Sequence, residues 1–303
     1  GATVDISFYS KEGELISAGG NAKQKMLAFE YGAKIVADRV YTTCGGGASN
    51  SSVSASRLGL NTAVIGRVGD DSNGVAVLKN LKEHKVDTGL IALERREATA
   101  FSVILTIDNP SKEHIAFIHR GANSDLSAKD IPAVLPADWL YVTSLPSGSW
   151  KEIMAKLVKS GKNMVWNPGN EQLKDIPAIV KFLPAVRLLI LNHHEALEFR
   201  KLKDMKGLLA HIHGLGPKLV VITDSSNGAY AFDGKKYYYM KAASGKTINT
   251  LGVGDSFGSA LTAALIYDKN IKEALSWGIR NSASVVAHIG AQAGLLTKKQ
   301  IER

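Results

Sequence analysis

The feature that most constrains this chain is a pattern repeated through its C-terminal two-thirds: a short apolar run, a polar or glycine-containing turn, then a longer stretch of helical period. The apolar runs are Trp139-Leu140-Tyr141-Val142, Met164-Val165-Trp166, Leu188-Leu189-Ile190-Leu191 and Leu219-Val220-Val221-Ile222. Residues apolar at successive positions suit strands buried on both faces between layers of helices. Helix candidates such as Ser149 to Lys159 and Glu195 to Lys203 stand between the runs. The alternation predicts an α/β fold with a doubly wound, mostly parallel sheet flanked by helices.

Two N-terminal stretches break the pattern. From Asp5 to about Val40 the chain is polar, glycine-punctuated and weakly alternating, and Ala100 to Ile118 carries Phe101, Val103, Leu105 and Ile107 in period two before a turn at Asn109-Pro110. Both read as antiparallel ribbon, and together (about 6–42 and 98–120) they predict a small β-sheet lid inserted in a single domain spanning residues 1–303. Ala229 to Met240 reads as a hairpin turning at Asp233-Gly234.

Composition narrows the class. With 45% hydrophobic and 21% charged residues and one cysteine, the 303-residue chain is neither disordered, collagen-like nor a disulfide scaffold. A formal net charge of +9 suits an anionic partner, whether nucleic acid, membrane or phosphorylated metabolite, and equally serves solubility. Cys44 has no internal partner for a disulfide, so a reducing cytosol is the default. No apolar run approaches the roughly 20 residues that span a bilayer, and Gly1 to Asp5 shows no basic region leading into an apolar one. A cytoplasmic protein is expected. The first residue is Gly rather than Met.

The densest chemical signal is Asn249-Thr250-Leu251-Gly252-Val253-Gly254-Asp255-Ser256-Phe257-Gly258, followed by the helical stretch Ser259 to Tyr267. Two glycines one residue apart at a helix start turn backbone N–H groups toward a common point, and the helix end adds partial positive charge. Such a turn can hold a phosphoryl group. Asp255 would then stand in the first turn, placed to take a proton from a hydroxyl. An isolated G-x-G-D has a simpler reading, an Asp that only stabilises a helix start. Far upstream lie Gly45-Gly46-Gly47-Ala48-Ser49-Asn50 and Gly66-Arg67-Val68-Gly69-Asp70-Asp71-Ser72-Asn73-Gly74. Glycines let the backbone approach a small polyol, and an Asn side chain offers both donor and acceptor to hydroxyls.

Taken together, these segments resemble the PfkB or ribokinase-like carbohydrate kinases. Their C-terminal signature, D-T-x-G-A-G-D-x-F, is matched at Thr250, Gly252, Gly254, Asp255 and Phe257, with Val253 where Ala is usual. The two glycine-rich segments match the N-terminal signature in the family's order. The resemblance implies an ATP-dependent kinase for a sugar hydroxyl of the ribose, fructose or ketodeoxygluconate type. Asp255 would be the catalytic base, and the amides of Gly252, Val253 and Gly254 would form the anion hole. Asp5, Gly45, Gly46, Asn50 and, with less weight, Arg120 in Arg120-Gly121-Ala122-Asn123 would bind the acceptor. Asn192 and Glu195 resemble the family's N-x-x-E motif, which places magnesium indirectly and the nucleotide phosphates. Thr223, Ser225 and Gly228 occupy the nucleotide loop, with Ser225 where Gly is usual. Asn281 with Gly290-Ala291-Gln292 resembles the helix and loop that close over the adenine and a monovalent-cation site.

The departures are as informative. Asn249 stands where the family has an Asp that contributes to a potassium site; an amide oxygen ligates a cation without supplying charge, so weak or absent potassium activation is expected. The family's short apolar strand before the Gly-x-x-x-Asp turn has no counterpart ahead of Gly1: either it is missing from the sequence or the sheet lacks one strand. The interval from Asp5 to Gly45 is long and implies an enlarged lid. Cys44, beside the Gly45-Gly46 turn, would be a position where alkylation blocks the acceptor site. Lid sheets in this family pair into dimers, so the resemblance implies a homodimer.

Several patterns imitate other chemistry. Ser244-Gly245-Lys246-Thr247 ends like a P-loop, but Met240 stands where its first Gly belongs. His193-His194-Glu195 fails the zinc-protease spacing, since Glu198 occupies the second His position. Lys235-Lys236-Tyr237-Tyr238-Tyr239 mixes base and aromatic, and reads better as a solvated strand than as a nucleic-acid surface. Neither nucleic acid nor membrane is expected as a partner. Two alternatives stay open: a nucleoside kinase, which would need an aromatic clamp from Phe101, Phe117 or Phe8, and a silent sugar- or nucleotide-binding regulator, against which the retained Asp255 argues.

Overall fold

A computed structural model describes residues 1–17, 25–107 and 114–303, so the turn expected at Asn109-Pro110 lies outside the described residues. Strand β1 (Thr3–Ser10) leads through the hairpin β2 (Glu14–Ser17) and β3 (Lys25–Ala28) to β4 (Arg39–Gly45). Then come α1 (Gly47–Arg57), β5 (Gly66–Gly69), α2 (Ser72–Glu83), β6 (Ile91–Glu94), β7 (Phe101–Ile107) and β8 (His114–His119). The order β4-β1-β7-β8 makes the four-stranded sheet expected to serve as the lid, whose first ribbon runs from Thr3 to Gly45 and its second from Phe101 to His119. It is not purely antiparallel. β1 runs antiparallel to β4 but parallel to β7, because the α1–β5–α2–β6 segment carries the chain across before β7 begins. β5 and β6 pair in parallel as a separate two-stranded sheet.

The alternating pattern follows: β9 (Trp139–Val142), α3 (Trp150–Lys159), β10 (Asn163–Trp166), α4 (Asn170–Leu173), α5 (Ile176–Phe182), β11 (Val186–Asn192), α6 (His193–Phe199), α7 (Met205–His213) and β12 (Leu219–Thr223). The hairpin β13 (Ala229–Phe232) and β14 (Tyr237–Met240) precedes α8 (Val253–Ile266), α9 (Ile271–Val286) and α10 (Lys298–Ile301). One six-stranded sheet orders them β14-β13-β12-β11-β10-β9, parallel from β9 to β12 and antiparallel at the hairpin.

Strand β11 shows why the run Leu188 to Leu191 is apolar throughout. Leu189 and Leu191 pack with Ile153, Ile179, Leu208 and Ile212 of the helices on one face, while Leu188 and Ile190 pack with Phe257, Leu261 and Leu275 on the other. Truncating any of these fully buried leucines to Ala would cost about 2–5 kcal/mol. A third cluster, containing Val4, Val53, Val68, Val77 and Leu81, joins the lid to α1 and α2.

Two helix starts differ from the sequence reading. α6 begins at His193 because Asn192 and Glu195 form a reciprocal capping box, and it ends at Phe199, where Arg200 turns to extended backbone. α8 begins at Val253, ahead of the stretch Ser259 to Tyr267. Its serine and alanine face meets the serine-rich α1, where Ser259 Oγ lies 2.7 Å from Ser54 Oγ.

Candidate active site

Gly252 is the N-cap of α8, in the left-handed region at φ 69°, and no side chain caps the helix. The Ser256 amide donates the first bond back to Gly252 O at 2.9 Å, so the amides of Val253, Gly254 and Asp255 have no partner within the helix. A Cβ on Gly252 would overlap that of Ala291, whereas one on Gly254 would meet nothing within 4 Å. The turn is thus packed hard on one side and open on the other. Fourteen residues of helix behind it direct partial positive charge to the opening.

Asp255 follows in the first turn, and its Oδ2 accepts a 2.8 Å bond from Asn50 Nδ2 of α1. Asp5 approaches from the lid, 7% exposed, where Thr3 Oγ1 donates to its Oδ1 at 3.2 Å. It lies within β1 rather than in a turn, opposite Thr43 of β4 and Ser102 of β7. Gly45 must be a glycine because a Cβ would overlap Asp5 Oδ2, and Gly46, at φ 89°, packs against the carbonyl of Gly1. A Cβ on Gly47 would stand 3.2 Å from Asp255 Oδ1. Asp255, Asn50, Asp5, Gly45 and Gly46, far apart in the chain, therefore form one cluster.

Burial drives both carboxyls upward from the ordinary Asp range. For Asp255 the Asn50 bond acts the other way; for Asp5 the bonds from Ser102 and Thr3 do so, and the Asp255 charge adds to the rise.

A second cluster forms where β11 and β12 end side by side, with Asn192 in register with Thr223. His193 Nδ1 and Asp224 Oδ1 lie 3.0 Å apart and tie the two loops. Ser225 is held at φ 46°, the left-handed conformation that explains why Gly would serve there, and Gly228 is at φ 100°. Glu195 Oε2 accepts the Asn192 amide at 2.8 Å, and burial raises its carboxyl.

The sequence profile described as pfkB family carbohydrate kinase matches residues 16–298. The chain belongs to the pfkB family of carbohydrate kinases. It is similar to the ribokinase of Bacillus subtilis strain 168, at 26% identity over 279 residues that cover 89% of this chain and 90% of the relative. Its fold is that of a putative ribokinase II from E. coli (TM-score 0.83, 19% identity, 99% and 95% of the two chains covered). The Methanocaldococcus jannaschii nucleoside kinase has the same fold, at TM-score 0.79 and 19% identity over 99% and 94% of the chains. This pfkB-family chain is accordingly a phosphotransferase whose acceptor is an alcohol group.

Some residues of this kinase lie elsewhere than the sequence reading put them. Asn281 is fully buried; its Nδ2 donates to Ser54 Oγ and Ser256 O while its Oδ1 accepts the Leu296 amide, so it clamps three helices and has no surface to offer a nucleotide. Gln292 sits on α1 and α2 rather than over a nucleotide, bonded to Ser49, Asn50 and Asn80. Arg120 is held at the surface by Glu171 at 3.2 Å. Its neighbour Asn123 instead brackets the backbone of Ala2 at the start of β1. Asn249 Oδ1 accepts the Leu251 amide at 2.7 Å and its Nδ2 faces Tyr9. Cys44 packs toward α2, and burial together with the charges of Asp5 and Glu83 raises its thiol.

Three participants gave no signal of their own in the sequence. Thr43 and Ser102 become neighbours of Asp5 only through strand register. Tyr141, read as a strand residue alone, sends its hydroxyl to α8 near Asp255.

Proposed function

We propose that this enzyme transfers the γ-phosphoryl group of ATP to a hydroxyl of a sugar, with Asp255 as the base. The observation that carries the reading is the 2.8 Å bond from Asn50 to Asp255, which holds a carboxylate beside the free amides of α8. Asp255 accepts the hydroxyl proton as the oxygen attacks, and the amides of Gly252, Val253 and Gly254 receive the charge of the transferred group. Asp5, Gly45, Gly46 and Asn50 orient the acceptor. Asn192, Glu195, Thr223, Ser225 and Gly228 hold the nucleotide.

Among the described residues no group of three or more His, Cys, Asp or Glu could hold a metal ion. Glu195 keeps one carboxylate oxygen outside its capping bond, which fits an indirect hold on magnesium brought with the nucleotide. Bound there, magnesium would neutralise the polyphosphate.

A sugar is favoured over a nucleoside by the family, whose profile is that of carbohydrate kinases. The Asp5 face carries Ser7, Thr43 and Ser102 beside the rings of Tyr9 and Tyr41, whereas Phe8, Phe101 and Phe117 alternate onto the opposite face. On that far face Phe8, Phe29, Leu105 and Phe117 line an apolar hollow of about 310 Å³, and Val40 and Phe117 are exposed. This supports a homodimer through the lid, which sedimentation of a Phe117→Glu variant would test. The fold-wide reading is a single kinase domain with this lid, working in the cytoplasm.

ADP release coupled to a panel of sugars and nucleosides tests the activity. A sugar should be phosphorylated at least tenfold more efficiently than any nucleoside; a nucleoside preference, or no turnover with any member, would overturn the reading.

A further inference from the structure

The Asn50 side chain can present either end of its amide to Asp255, and only one end helps a carboxylate. The N–H end donates to it, whereas the carbonyl end would set oxygen against oxygen. Three amides in series decide the matter. Asn80 Nδ2 of α2 donates to Gln292 Oε1 at 2.9 Å, Gln292 Nε2 donates to Asn50 Oδ1 at 3.0 Å, and Asn50 Nδ2 donates to Asp255 Oδ2 at 2.8 Å. Turning over Gln292 or Asn50 would place like against like at both ends of its amide, and turning over Asn80 would do so where it meets Gln292. Ser49 Oγ, 3.1 Å from Gln292 Nε2, is a second acceptor that holds the Gln292 amide the same way round.

The neighbours of Gln292 make the arrangement more than a surface bond. Ala291 is the residue against which Gly252 packs, and Gly290, at φ 85°, lies against Thr43, the register partner of Asp5. Three consecutive residues thus touch the lid, the helix turn and the partner of the base.

We infer that Gln292 is a positioning residue, which acts through Asn50 to keep an N–H donor on the Asp255 carboxylate, with Asn80 holding Gln292 in turn. The inference rests on the phosphotransfer reading for its catalytic consequence, but its geometry does not depend on the acceptor. The other groups that face Asp255 are Asp5 from β1, the Tyr141 phenol from β9 and Asn50 itself from α1. None of them touches the amide series except Asn50.

The test compares Gln292→Leu, Gln292→Glu and Asn80→Leu with the parent protein. Carbon-13 labelling of aspartate and NMR titration, with Asp255→Asn to assign the signal, follow the Asp255 carboxyl directly and require no acceptor. Gln292→Leu should raise its midpoint by about one pH unit, the scale of one lost hydrogen bond to the charged form. Gln292→Glu should raise it further although it conserves shape, because a carboxylate at 292 can only accept, draws the Asn50 N–H groups to itself and turns the carbonyl toward Asp255. Asn80→Leu should give the smallest rise. With the acceptor found in the panel, the acid limb of kcat/KM should move in the same order while the nucleotide KM stays within twofold. Folded Gln292→Leu and Gln292→Glu proteins whose Asp255 titrates as in the parent would overturn the inference. Should Gln292→Leu fail to fold, an unshifted Asp255 in both the Gln292→Glu and Asn80→Leu proteins would overturn it equally. A parent without turnover would refute the kinase reading and leave the titration to decide this one.

Discussion

The hydroxyl of Tyr141 occupies the space where a side chain at Gly258 would begin: a Cβ there would overlap the phenol oxygen, while the ring carbon behind it would be 3.2 Å away. The phenol is buried without a hydrogen-bond partner, as is the hydroxyl of Ser51 near it. Gly258→Ala should therefore lose about 1–3 kcal/mol of stability by overpacking and reduce turnover, since the displaced helix turn carries Asp255. Tyr141→Phe removes the clashing atom together with its unpartnered hydroxyl. Combined with Gly258→Ala it should recover most of the loss in denaturant unfolding; strictly additive losses would contradict the clash.

Asp255→Asn should lower kcat by about 10²–10⁴-fold, as removal of a general base does, with nucleotide binding intact. Its stability should move the other way. The Asp255 pKa is raised by folding, so between the unfolded value and the raised folded value the native state binds the extra proton. Stability is gained in acid and lost as pH rises through the folded pKa. At neutral pH the uncharged Asn is spared this loss, and the variant should melt at or above the parent temperature. Calorimetry should show the gap closing toward pH 4, and a variant that melts far below the parent at neutral pH would count against the assignment. Asp5→Asn should behave alike in stability.

Gly252→Ala combines a left-handed backbone with a clash against Ala291. Turnover should fall by about 10²-fold or more, the usual cost of disturbing a single donor of an anion hole. Gly254→Ala meets open space and should fold normally. Similar turnover in the two variants would argue against an anion hole packed on its Gly252 side.

The amide of Asn249 is already engaged by Leu251, and it carries no charge. Initial rates in potassium and in tetramethylammonium at equal ionic strength should agree within twofold. A potassium-specific gain would show that this turn binds the cation without a carboxylate.

The parallel strands were legible in the sequence because their instruction is local. Each residue from Leu188 to Leu191 meets one helix layer or the other, so the apolar run is the strand. The place of Asp255 was legible for the same reason, being set by the adjacent glycines. The start of α6 carried a local signal too, since Asn192 and Glu195 have capping-box spacing as well as the kinase motif. The parallel pairing of β1 with β7 was not legible, because strand direction depends on the whole crossover between them. Nor was the partner of Asn50: Gln292 lies 242 residues away, and nothing in either neighbourhood names the other. Asn281 looked like a ligand residue because a buried Asn that clamps helices and an Asn that meets a nucleotide are the same letter.

The Gln292–Asn50 bond also sets an order of events during synthesis. The first residue of the pair leaves the ribosome 242 residues before the second, so α1 and the lid must wait, with their polar groups hydrated, until almost the whole chain has emerged. Contacts of such separation form late because the intervening loop must close first. A nascent chain of this design would form its sheets before the setting of Asp255 is complete.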